Sequence, residues 1–189
     1  MGEVAKRAPF LGVLFSPVRT SVSDFRYRRK VQLSNAIDIK WMKVANELAA
    51  NIPQRPWPNP PVGAVVVRDG KVVGSGAHFG AGTSHAERKA LDQAGELAKG
   101  ATLYCTLEPC NHHGKTPPCS TRVIESEVDR VVIAMRDPNS RVSGGGVAAI
   151  REAGIEVEVG VNSACALNQV WPFVATDSFR KPYVLLKTA

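Results

Sequence analysis

Three side chains in this 189-residue chain are of the types that hold a soft or borderline metal ion, and a carboxylate stands two residues from one of them. His85 lies in Thr83-Ser84-His85-Ala86-Glu87, Cys110 follows Leu107-Glu108-Pro109, and Cys119 follows Pro117-Pro118 nine positions later. One imidazole and two thiolates suit Zn2+, and three protein ligands leave the fourth tetrahedral position open for water, which separates a catalytic site from a structural one. Glu87, at the same helix start as His85, is placed to exchange protons with that water without binding the metal. The set predicts metal-assisted hydrolysis, with His85, Cys110 and Cys119 as ligands and Glu87 as the proton carrier.

Each element alone has a plainer explanation. Ser84 and Glu87 also spell a capping box, in which Glu87 would only satisfy backbone amides. His85 fits a buried histidine, and Cys110 and Cys119 fit core thiols. Their joint occurrence in this order outweighs those explanations. Cys105 lies within an apolar run and is assigned to packing, Cys165 has no partner pattern, and His112 and His113 sit between the two cysteines without being assigned to the metal. A helix start just after Cys110 is expected to favour its thiolate.

The elements that must position this set can be read from periodicity and punctuation. Asp38 is a capping residue type for a helix to about Asn51, with Trp41, Val44, Ala45 and Leu48 on one face. Residues 53–61 are proline-rich and end it. The β-branched runs at 62–67 and 72–75 flank Asp69-Gly70, which predicts a hairpin delivering His78 at its exit. A helix over residues 84–97 should bury Ala90, Leu91, Ala94 and Leu97. Apolar runs at 103–107 and 131–135 predict strands buried on both faces, with a helix around 121–126 between them. Gly144 to Gly146, an amphipathic stretch at 147–153 and a strand at 155–159 complete the pattern. The expected fold is α/β, a three-layer α/β/α sandwich with a mixed central sheet.

The formal net charge of +7 first suggests a nucleic-acid partner. Residues 1–36, however, hold seven basic side chains against two acids, so the remainder is nearly balanced. No run approaches the roughly 20 apolar residues that cross a bilayer, so no membrane partner is expected. Four cysteines are too few for a disulfide scaffold.

Several blocks together carry a family resemblance: Pro58-Asn59-Pro60 with Val62-Gly63-Ala64, then His85-Ala86-Glu87, then the run from Thr106-Leu107-Glu108-Pro109-Cys110 through Asn111-His112-His113-Gly114-Lys115-Thr116 to Pro117-Pro118-Cys119. From about Asp38 onward the sequence resembles the riboflavin-biosynthesis pyrimidine deaminases, of cytidine-deaminase-like fold. Asp137-Pro138-Asn139 and Gly154-Ile155-Glu156-Val157 also resemble that family's later blocks. The signature of zinc deaminases is His-x-Glu followed by Pro-Cys-x-x-Cys. Here the cysteine spacing is wider, as in the riboflavin branch and unlike the tRNA adenosine deaminases. The resemblance implies hydrolysis of 2,5-diamino-6-(5-phosphoribosylamino)pyrimidin-4(3H)-one to 5-amino-6-(5-phosphoribosylamino)uracil and ammonia. It also implies that Asn59 hydrogen-bonds the pyrimidine or ribose, that His78 lines the phosphoribosyl end, and that Lys115 and Thr116 stand at the rim, with Lys115 as a point cation for the phosphate.

Two departures accompany the resemblance. Many family members continue into an NADPH-dependent reductase domain, and residues 178–189 resemble only its opening strand, so reduction is expected to fall to a separate reductase. Residues 1–36 have no counterpart in the family core and read as a basic extension, disordered or targeting, which leaves residues 37–177 as the deaminase domain. The expected location is the cytoplasm, or an organelle after removal of the basic segment, and a homo-oligomer is expected. The alternatives are a tRNA or nucleoside deaminase that uses the basic segment as its RNA contact, and a zinc-stabilised scaffold without turnover.

Overall fold

The computed structural model describes residues 22–53, 56–113, 117–138 and 145–177, with only the backbone for residues 22–34 and 177. The chain divides into two units, Met1–Leu33 and Ser34–Ala189, and the second is described here. Residues 1–21 of the basic extension, the segment 178–189, Asn139 and Gly144 lie outside the described residues, as do Lys115 and Thr116.

Five strands form one mixed sheet: β1 (Gly63–Arg68), β2 (Lys71–Ala77), β3 (Thr102–Cys105), β4 (Arg130–Ile133) and β5 (Glu156–Val159). Their order is β2-β1-β3-β4-β5. The first hairpin closes at Asp69 and Gly70, both at positive φ (51° and 71°), the backbone geometry of the tight turn that these residue types favour. β1 runs antiparallel to β2 and β3, whereas β3, β4 and β5 are mutually parallel. Parallel neighbours need crossovers, supplied by α3 (Cys119–Glu125) and α4 (Gly145–Glu152).

Alternation along the strands sends side chains to two cores. Ala64, Val66, Leu103, Cys105, Val131 and Ile133 join Ala90 and Leu91 of α2 (Ala86–Ala94), together with Val123 of α3 and Val147 and Ile150 of α4. Val65, Val67, Tyr104 and Val132 pack with Met42 and Ala45 of α1 (Val22–Ala50) and Ala166 of α5 (Ser163–Asp177). Helices therefore cover both faces, as the alternating pattern predicts. Packing is tightest where side chains vanish: a Cβ at Gly63 would collide with the Ala45 carbonyl of α1, and one at Gly74 or Gly76 with carbonyls of α2. No helix among the described residues is long and apolar enough to cross a membrane.

Three local expectations are corrected. Asp38 is not a cap, because α1 begins at Val22; it lies inside the helix, is buried, and takes a bidentate Arg130 pair (2.8 and 3.0 Å) plus the Tyr104 hydroxyl (3.0 Å). Leu97 is 52% exposed, since Gly95 turns to φ 52° and a 3-10 turn follows; the tighter winding brings Ala98 inward instead. α3 begins at Cys119 rather than just after Cys110. The periodicity reading also left α5 unassigned.

Candidate metal centre

Two helix starts and one loop build the centre. His85 is the residue before α2, with extended backbone (φ −66°, ψ 159°) and no side-chain cap bond, so its ring is available to the site and no capping box forms with Ser84. Cys119 opens α3, where Pro118 stands at the cap position. Cys110 follows β3, held by its carbonyl accepting from the Ser120 amide (3.1 Å). His85 Nδ1 lies 3.2 Å from Cys119 Sγ and 3.6 Å from Cys110 Sγ. The ligand atoms of the three residues all fall within 4.8 Å of one another, a cluster able to hold a metal ion.

The electrostatics of the sulfurs suit that role. The Cys119 backbone amide donates to Cys110 Sγ at 3.4 Å. A hydrogen bond from the Cys119 side chain pushes the Cys110 thiol down to about 4 against its burial, with His85 contributing further, and the same contact raises the Cys119 thiol. Contact with Cys110 raises the His85 imidazole, outweighing desolvation. Cys110 is thus favoured as a thiolate by the Cys119 side chain first, with His85 and the Cys119 amide of α3 adding to it, although that helix starts nine residues after Cys110 rather than directly behind it.

A cleft of about 280 Å³ opens beside the cluster, lined among others by Asn59, His78, His85, Glu87, Cys110 and Phe173. Glu87 is 4% exposed, and burial raises its carboxyl to about 7 although its own backbone amide and His85 oppose the shift. Burial lowers the His78 pKa most, while the Ser84 carbonyl, 3.4 Å from Nδ1, resists. With the proton on Nδ1, Nε2 accepts from Asn59 Nδ2 at 3.0 Å. The Asn59 amide is thereby oriented, its oxygen left for another donor. His78 stands edge-on to His85, with ring centroids 5.1 Å apart.

Of the residues singled out from sequence, the structure brings His85, Glu87, Cys110, Asn59 and His78 to one cleft, with Cys119 completing the cluster. Cys105 is fully buried in the core and its thiol is raised by desolvation, in keeping with packing. Cys165, on α5, is outside the cluster. His112 lines the cleft and His113 is exposed; neither joins the ligand set. Sequence reasoning missed Phe173, Asp137 and a lining role for Glu108. Phe173 comes from the unassigned α5, where Pro172 interrupts the helical pattern, so no motif announces it.

Comparison with known proteins agrees with this geometry. The family profile described as "Cytidine and deoxycytidylate deaminase zinc-binding region" matches residues 35–135. The "Riboflavin biosynthesis protein RibD" of Aquifex aeolicus is 53% identical over 155 residues, 81% of this chain and 43% of that protein. The "Diaminohydroxyphosphoribosylamino-pyrimidine deaminase" of Buchnera aphidicola subsp. Schizaphis graminum is 54% identical over 106 residues, 56% of this chain and 72% of that protein.

The chain belongs to the riboflavin-biosynthesis deaminase family.

Among solved structures of these riboflavin deaminases, the deaminase/reductase of Thermotoga maritima superposes with a TM-score of 0.75 at 45% identity, covering 79% of this chain and 44% of that one. It carries the same mixed sheet flanked by helices, the cytidine-deaminase-like arrangement expected from the strand and helix order. The chain spans about two fifths of the length of the first curated relatives it matches, 43%, 40% and 41%.

Proposed function

We propose that this chain is a zinc-dependent deaminase that converts 2,5-diamino-6-(5-phosphoribosylamino)pyrimidin-4(3H)-one to 5-amino-6-(5-phosphoribosylamino)uracil and ammonia. The observation that carries the reading is the convergence of one imidazole nitrogen and two sulfurs beside a buried carboxylate in the same cleft. Tetrahedral zinc, with Zn–S about 2.3 Å and Zn–N about 2.0–2.1 Å, sets neighbouring ligand atoms roughly 3.5–3.8 Å apart. The His85–Cys110 and His85–Cys119 separations of 3.6 and 3.2 Å are near that edge. The donor set therefore fits zinc, held by His85 Nδ1 and the two thiolates.

When bound, zinc supplies a Lewis acid that makes water acidic near neutral pH. Glu87 accepts a proton as the water oxygen adds to the amine-bearing ring carbon, and delivers it to the ring nitrogen. The C–N bond to the amine then breaks, Glu87 relays the remaining proton to the departing nitrogen, and a carbonyl and ammonia result. Burial supports this role, since a carboxyl that exchanges protons in both directions works best with a pKa near the operating pH. Asn59, steadied by His78, offers its amide oxygen to a substrate N–H or hydroxyl. In this reading the phosphate falls to Lys115 and Thr116, since burial disfavours a cation at His78.

The test supplies the zinc-loaded chain with the riboflavin precursor, cytidine and tRNA in parallel and follows ammonia. Release from the precursor alone is expected. Release from tRNA but not from the precursor would overturn the substrate, and no release from any would overturn the activity.

A further inference from the structure

Glu108 is a buried carboxylate, 3% exposed, that the proposed chemistry does not use. Its two oxygens are engaged by backbone amides of two different elements. Oε1 accepts from Val147, in the first turn of α4, at 3.1 Å, and Oε2 accepts from Asp137, in the turn after β4, at 3.3 Å. The Glu108 amide in turn donates to the Met135 carbonyl at 3.0 Å. First-turn amides have no partner within their own helix, and the positive end of the helix favours an anion there. The carboxylate therefore reaches from the Cys110 loop to α4 and the β4 exit at once.

A second, independent contact closes the same joint. A Cβ on Gly146 would collide with the Pro109 carbonyl oxygen and lie 3.4 Å from Glu108 Cγ. Only a residue without a side chain lets α4 approach so near. Glu108 and Pro109 are the two residues immediately before Cys110, so the loop is clamped by side chain and backbone just where it presents its sulfur. On the other side, Asn111 Oδ1 accepts from Ser120 Oγ at 2.6 Å, which ties the loop to α3.

We infer that Glu108 is a positioning residue for the metal centre: by bridging the first turn of α4 and the Asp137 amide, with Gly146 permitting the close approach, it fixes where Cys110 Sγ stands relative to His85 and Cys119. This inference rests on the zinc reading above and adds to it a positioning role for a residue outside the ligand set. Partners that orient metal ligands contribute about 10–100-fold in affinity in other sites.

The test measures zinc affinity of the full chain by competition with a chromophoric chelator, and the thiolate-to-metal absorption of the cobalt(II)-loaded protein. Glu108→Gln replaces one acceptor with a donor that faces an amide, and is expected to weaken zinc binding about 10–100-fold and to alter the cobalt spectrum. Gly146→Ala leaves every carboxylate in place and is expected to shift both readings in the same direction. A purely structural role would lower the melting temperature of the metal-free protein while folded variants kept wild-type zinc affinity and cobalt spectrum; that result overturns the inference. Should Glu108→Gln not fold, Gly146→Ala decides by the same readings. Failure of the unaltered chain to bind zinc would instead remove the underlying zinc reading, so the two failures are distinguishable.

Discussion

Asp38 and Glu87 are each 4% exposed, yet their surroundings give them opposite characters. Asp38 sits on the α1 side of the sheet, where Arg130 grips both oxygens and the Tyr104 hydroxyl adds a third bond. That pairing raises the Arg130 guanidinium, and burial, with Asp38 beside it, raises the Tyr104 phenol. Glu87 sits on the opposite face with no ion pair to a lysine or arginine among the described residues, and desolvation carries it to about 7 against its own backbone amide and His85. Burial alone does not decide what a carboxylate does. One gripped by a guanidinium and a hydroxyl joins α1 to β3 and β4, whereas one raised by desolvation beside the His85/Cys110/Cys119 cluster suits the proton exchange proposed above.

The comparison is broken most forcefully at Glu87. Glu87→Gln should lower ammonia release by about 10²–10⁴-fold, the usual contribution of a positioned acid–base group, with zinc content unchanged by metal analysis. Loss of both together would make Glu87 a metal-site residue. Asp38→Ala should do the reverse, costing about 3 kcal/mol in urea unfolding because Arg130 loses its buried partner, while the folded protein still binds one zinc. Arg130 keeps Glu156 at 2.8 Å, an exposed partner, which holds that loss at the low end for a broken buried pair. At the cleft, His78→Phe removes the acceptor that orients Asn59 and should raise KM about tenfold, the worth of one hydrogen bond, with a smaller change in kcat. Leu97→Gln should shift stability by no more than about 0.5 kcal/mol, because the side chain is half in solvent.

These outcomes separate what could be read in residue order from what could not. The hairpin at Asp69-Gly70, the paired parallel strands and the His85/Cys110/Cys119 set were legible, because turn chemistry and ligand type are local. The start of α1 was not: Asp38 is a good cap by type, and only the structure shows that the helix has already run for four turns and that Arg130, 92 residues away, claims the carboxylate. Leu97 was misplaced by continuing one helical phase through Gly95, where the winding tightens. Phe173 and Glu108 escaped for a related reason. Their roles come from elements brought together by the sheet, α5 for Phe173 and the first turn of α4 for Glu108, and neither role leaves a spacing signature.

The most direct test of the central claim is X-ray absorption at the zinc edge of the loaded full chain. Two sulfurs at about 2.3 Å, one nitrogen at about 2.0–2.1 Å and one further light atom are expected. A first shell without sulfur, or one completed by four protein ligands, would contradict it.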